Sequence, residues 1–223
     1  MKIIVMLFCL LVSFSLFSQD WDFEAPDYDK IEKNIQQKKS NLFYETLMKK
    51  YLQADATMTL QEKRHLYYGY TFQDEYSPYA RSAYNDSLKV VLEKENHNPK
   101  DLDKILKFSD SILSANPFSI RALNYQSYVL EKMDRKKALN KKVTQLRIII
   151  DVLISSGNGT SKEDAFYVIY TMHEYDLLAV LGFEFGGSQK LIEHYDYLTV
   201  LENNAGVKGL YFDVSPCLNS MLN

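Results

Sequence analysis

From Asp27 to about Ser155 the apolar positions recur at helical spacing. Tyr28, Ile31 and Ile35 share one face, and Ser40 opens a second stripe through Phe43, Leu47 and Tyr51. Thr59-Leu-Gln-Glu62 has capping-box spacing: the hydroxyl can accept from a free backbone N–H while Glu62 reaches back. The helix it starts carries Leu66 and Tyr67 and is expected to stop near Gly69. Ser77-Pro78 predicts a restart, because Ser caps and Pro lacks only an N–H that the first turn leaves free. Ala80, Ala83, Tyr84, Leu88, Val91 and Leu92 carry that helix to about Glu95. After Pro99 come Leu102, Ile105, Leu106, Ile112 and Leu113; after Asn116-Pro117 come Ile120, Leu123, Ser127 and Leu130. In the last helix Leu139, Val143, Leu146, Ile150 and Leu153 are flanked by further aliphatics, a stripe wide enough for burial on most sides. Asp151 inside it stands four residues after Arg147, the spacing of an intrahelical ion pair.

The pattern changes at Ser155-Ser-Gly-Asn-Gly-Thr160, where two glycines mark a boundary. Residues 165–171, AFYVIYT, are β-branched and aromatic and predict a strand. Glu174 to Leu181 predicts a short helix closed by Gly182, and Gly186-Gly187-Ser188 a loop. Tyr195 to Leu201 alternates with period two, Asn203-Asn-Ala-Gly206 is a hairpin turn, and Leu210, Phe212 and Val214 alternate again. Ser215-Pro216 starts a final short helix. The expected fold is α+β and mainly α, with antiparallel helical hairpins over 19–156. A small three-stranded sheet with short helices over 157–223 packs on that body, since so small a sheet needs support.

Lys2 followed by the apolar run 3–17 predicts a signal peptide over residues 1–18, hence export to the periplasm or beyond. The run is too short for a comfortable bilayer span, and no later segment predicts a transmembrane anchor after cleavage. Formal net charge is −3, or −4 once Lys2 leaves with the leader, which argues against a nucleic-acid partner. Of the two cysteines Cys9 lies in the leader, so Cys217 is alone in the mature chain and no internal disulfide is expected.

Candidate chemistry is sparse. Six of the seventeen tyrosines fall within LYYGYTFQDEYSPYARSAY, residues 66–84. They suit either a structural corner or a ring-lined binding surface, with Tyr70, Tyr76 and Tyr79 expected to face outward. His173, Glu174, His194 and Asp196 meet at one end of the sheet if the strands ending near Met172 and starting near His194 are antiparallel neighbours. Two imidazoles and two carboxylates there would suit metal binding or acid–base chemistry, although no HExxH spacing supports it. Cys217 is expected on the buried face of the last helix. The basic residues Lys132, Arg135, Lys136, Lys137, Lys141, Lys142 and Arg147 read as a solvated helix face. Gly157-Asn-Gly159 lacks the Gly-Lys-Ser/Thr of a phosphate loop, and no cofactor is predicted.

Two resemblances add to this. Residues 112–139 resemble the junction of tetratricopeptide repeats, with Pro117 closing one helix and Ser127 at a tight crossing, but the 34-residue period is not repeated. LYYGYTFQDEYSPY, SGNGTSKEDAFYVIYTMHEYDLL and GLYFDV together resemble a family of exported bacterial proteins defined only as a domain of unknown function, over most of residues 27–214. The resemblance implies an exported protein with a tetratricopeptide-like helical body and brings no catalytic residues. The expected function is a non-enzymatic binding or scaffolding module of the envelope, monomeric or dimeric, whose partner is an envelope protein or a glycan. The alternative is an envelope hydrolase using the histidine–carboxylate cluster.

Overall fold

A computed structural model describes residues 23–80 and 82–221. The leader read over residues 1–18 lies outside the described residues. Within the described residues seven helices come first: α1 (Tyr28–Ile35), α2 (Tyr44–Gln53), α3 (Leu60–Gly69), α4 (Asn85–Leu92), α5 (Pro99–Ala115), α6 (Ile120–Lys132) and α7 (Lys136–Ile154). A 3₁₀ turn, Tyr70–Phe72, continues α3. Then follow β1 (Phe166–Tyr167), α8 (Met172–Val180), β2 (Phe185–Ile192), β3 (Tyr195–Val200), β4 (Gly209–Asp213) and α9 (Ser215–Asn219). Among the described residues no helix is long and apolar enough to cross a membrane.

The helices start where local chemistry supplies a cap. Thr59 and Glu62 form the full capping box of α3, and Asn98 with Asp101 forms a second at α5, where Pro99 occupies the first turn. Asp27 and Ser119 cap α1 and α6. Successive helices pack as hairpins in the order α4, α5, α6, α7, and α7 then lies against α3, which α1 and α2 cover. Asp151 pairs not with Arg147 but with Lys63 of α3 at 2.7 Å, so the charge on α7 ties two helices together.

Among the described residues the sheet has four strands, not three, in the order β1-β4-β3-β2. β1 runs parallel to β4, and the other neighbours are antiparallel. The additional strand is β2, at the edge, over residues that read as a loop. One hydrophobic core joins helices and sheet: Leu66, Tyr67, Ile149 and Leu153 share it with Phe166, Leu198, Leu210 and Phe212. A smaller cluster of Leu88, Val91, Leu102, Ile105 and Val129 holds the α4–α5–α6 end.

Two expected elements are shorter than the sequence pattern suggests. No helix begins at Ser77; residues 73–80 and 82–84 are turns and irregular chain, and Tyr84 is 40% exposed rather than on a buried stripe. The expected strand 165–171 pairs only at Phe166 and Tyr167, with Val168 N–H donating to the Asp213 carbonyl at 3.1 Å. Beyond that, phenols take the place of a neighbouring strand. Tyr67 Oη accepts from Ile169 N–H at 3.3 Å, and the Tyr76 hydroxyl donates to the Ile169 carbonyl at 2.7 Å. Buried backbone groups need partners, and here side chains provide them.

Candidate functional site

The tyrosine-rich segment builds the joint between α3 and the chain entering α8. Tyr67, Tyr68 and Tyr70 are 1%, 0% and 4% exposed, so the expectation that Tyr70 faces outward is corrected. The 3₁₀ turn after α3 swings its ring inward, against Phe118 at 5.3 Å and Tyr76 at 5.9 Å between centroids. Tyr76 is half-buried and committed to the Ile169 carbonyl. Tyr79 is 47% exposed and is the one of the three that faces solvent.

The four residues proposed for a sheet-end cluster divide into three places. The assumed antiparallel neighbours do not exist: β1 pairs with β4, and the chain after it turns into α8. His173, in the first turn of α8, points into the core. Its Nδ1 accepts from the Tyr67 hydroxyl at 2.6 Å and its Nε2–H donates to the Phe118 carbonyl at 3.1 Å, which defines the neutral tautomer. Burial pulls its pKa down to about 3, against a smaller opposing effect of the Phe118 carbonyl. His194, in the β2–β3 turn, is on the surface, with Nε2 3.4 Å from Asp213 Oδ2.

Glu174 and Asp196 do meet. Glu174 of α8 is fully buried and Asp196 of β3 is 6% exposed. Asp196 points inward because it is in phase with Leu198 and Val200, the buried positions of β3. Gln189 of β2 spans the pair, its Nε2 donating to Asp196 Oδ2 at 2.7 Å and lying 3.4 Å from Glu174 Oε2. The Tyr175 hydroxyl donates to Gln189 Oε1, which orients that amide. Burial, then the neighbouring Asp196, push the Glu174 carboxyl up to about 9. Burial raises Asp196 too, opposed by hydrogen bonds from Gln189 and Glu174. The two carboxyls therefore share a proton at neutral pH, since two adjacent buried carboxylates would repel. Among the described residues the buried Glu174 Oε1 has no hydrogen-bond partner. Cys217 of α9 is fully buried beside this pair, its thiol pushed up to about 12 by burial. Gln189 and Tyr175 were not foreseen, because β2 itself was not.

Above the pair lies β2. Residues 185–191 are exposed throughout, and among the described residues only one side of the strand pairs, with β3. Its inward-facing Phe185 and Leu191 remain 37% and 51% exposed at the rim, and the Phe185 ring packs edge-on against Tyr175 at 5.2 Å. A surface hollow of about 350 Å³, lined by Ile35, Phe43, Tyr44 and Phe72 with Gln36 and Gln73, lies elsewhere and includes none of these residues.

A family profile described as a domain of unknown function, DUF4919, matches residues 29–223. The chain belongs to the DUF4919 family. No curated protein and no solved structure matches it. In this DUF4919 chain, among the described residues, no group of three or more His, Cys, Asp or Glu side chains is placed to hold a metal ion. What the carboxyl pair can do is hold one proton beneath the edge strand. What the DUF4919 edge strand can do is pair with another extended chain.

Proposed function

We propose that the protein is an exported, non-enzymatic binding module in which the helical body supports a sheet edge that recognises an extended segment of another envelope protein. The observation that carries the reading is β2, open along one side and exposed over residues 185–191. Exposed edges are usually blunted, and here a register irregularity between Phe185 and Gln189 does so at one end. Gln189 to Ile192 remains a regular ladder, with Leu191 offering apolar surface beside it. A partner strand gains main-chain hydrogen bonds from such an edge and specificity from alternate side chains. Export is the reading of residues 1–18 given above. This edge favours a protein over a glycan as partner.

The test uses proline. Successive N–H groups of a strand point to opposite sides, so of Lys190→Pro and Leu191→Pro one disrupts the β3 ladder and the other blocks only the open edge. Each folded variant is compared with the unaltered mature chain in capture from solubilised envelope. The expected result is a partner recovered by the unaltered chain and lost with the edge-blocking variant, while its circular dichroism is unchanged. Equal recovery of every partner by that variant overturns the reading.

A further inference from the structure

We infer that the exposed face of α7 is a docking surface for an anionic lipid bilayer. Residues 131–147 carry seven basic and two acidic side chains, whereas the rest of the chain carries nineteen basic against twenty-seven acidic. Lys132, Arg135, Lys136, Lys137, Lys141 and Arg147 are all exposed. Within α7 the steps 136, 137, 141 and 147 keep them on one side of the helix while Leu146, Ile149 and Leu153 enter the core on the other. The row from Lys136 to Arg147 is about 16 Å long at helical rise. Lys142 is apart from it: half-buried, with its pKa lowered by burial despite the opposing pull of Asp110.

The chain does little to neutralise this row. Among the described residues the one carboxylate within salt-bridge distance of it is Asp134, 3.6 Å from Lys136, with both side chains 83% exposed. Unpaired positive charge on a rigid helix, set against a negative remainder, gives the molecule a strong charge asymmetry. A negative plane then attracts this face and repels the others. The shape selects a plane rather than a polymer. The charges crown a ridge, and of the two surface hollows described, one takes in Lys142 and the buried Gln145 but none of the exposed basic residues, and the other none of this region. A polyanionic chain is held best in a groove; a ridge of lysines and arginines presents all its heads together to a headgroup layer. This surface is independent of the β2 edge, and a protein held by α7 leaves β2 on a separate element.

The test is flotation of the purified mature chain with phosphatidylcholine vesicles, with and without phosphatidylglycerol, at low and high salt. Three forms are compared: the unaltered chain, Lys136→Glu/Lys137→Glu/Lys141→Glu, and a control with the same net charge, Lys33→Glu/Lys49→Glu/Lys208→Glu. Circular dichroism confirms that each is folded. The expected result is binding only with phosphatidylglycerol, lost at high salt, reduced at least tenfold by the α7 reversal and within twofold of the unaltered chain in the control. Three results would each overturn the inference. One is no binding to phosphatidylglycerol vesicles at low salt, and another is equal loss in both triple variants, which would mean net charge alone acts. The last is tighter binding to soluble polyglutamate than to vesicles with the same dependence on α7, which would assign the face to an acidic polymer.

Discussion

The buried carboxyl pair makes a quantitative demand on stability. Glu174 holds its proton in the folded chain to about pH 9, against an ordinary value of 4.5. Between those limits the native state binds a proton that the unfolded state has released, so stability falls as pH rises. The slope is about 1.4 kcal/mol per pH unit for one proton. His173 acts in the opposite sense. It is neutral in the core down to about pH 3 but protonates near 6.5 when unfolded, so its burial costs stability progressively as pH falls below 6.5. From pH 4.5 to 6.5 the two contributions cancel: the native chain carries the proton on Glu174, the unfolded chain carries it on the histidine. Above 6.5 the histidine contribution is constant, and Glu174 alone removes about 3 kcal/mol by pH 9.

Glu174→Gln isolates the effect, because an amide keeps the shape and cannot ionise. Urea unfolding followed by circular dichroism at intervals from pH 5 to 9 gives the variant-minus-parent stability, in which His173 and the groups remote from the carboxyl pair cancel. That difference is expected to rise with pH at about 1.4 kcal/mol per unit, reaching about 6 kcal/mol in favour of the variant across the full window from pH 4.5 to 9. Through Glu174 and His173 together, the parent's stability is level from pH 5 to 6.5 and declines above. Parallel curves for parent and variant would refute the argument, since they would mean that Glu174 is ionised in the folded protein.

Three further substitutions or probes read other parts of the structure. Tyr67→Phe leaves His173 Nδ1 and the Ile169 N–H without their shared hydroxyl, and is expected to cost about 1–3 kcal/mol in urea unfolding. Gly157→Ala puts a Cβ 2.2 Å from the Ala165 carbonyl oxygen, a backbone clash that cannot be relieved by a rotamer; a loss of about 1–3 kcal/mol or more is expected by thermal unfolding. In a chain lacking residues 1–18, Cys217, fully buried with its thiol pushed up to about 12, is expected to stay unmodified by a thiol reagent until urea unfolds the protein; rapid labelling of the native protein would contradict its placement.

What was readable in the chain and what was not follows from how each element is held. Caps are local, so Thr59 with Glu62 announced α3 from sequence alone; the wide stripe of α7 marked the side that enters the core, at Leu146, Ile149 and Leu153, but the helix is not buried on most sides, because Lys136, Lys137, Lys141 and Arg147 stay exposed. Strands β3 and β4 alternate because one face meets the core, and they too were legible. β2 is solvent-exposed from Phe185 to Leu191, so no period of two marked it, and Gly186-Gly187 read as a loop. The carboxyl pair was half legible: Asp196 stands in phase with Leu198 and Val200, a charged residue at an inward position, which asks for a buried partner. Its partner came from α8, and nothing in the spacing of Glu174 and Asp196 states that a helix and a strand would bring them together. The same non-local step misplaced the histidines, because a strand was expected where the phenols of Tyr67 and Tyr76 hold the backbone at Ile169 instead. The tyrosine concentration is explained by that substitution. A segment that leaves a sheet inside a core needs donors and acceptors reaching it from another element. Tyrosine supplies them at the end of a long apolar ring, so the density of phenols in 66–84 marks the place where secondary structure stops and side chains complete the hydrogen bonding.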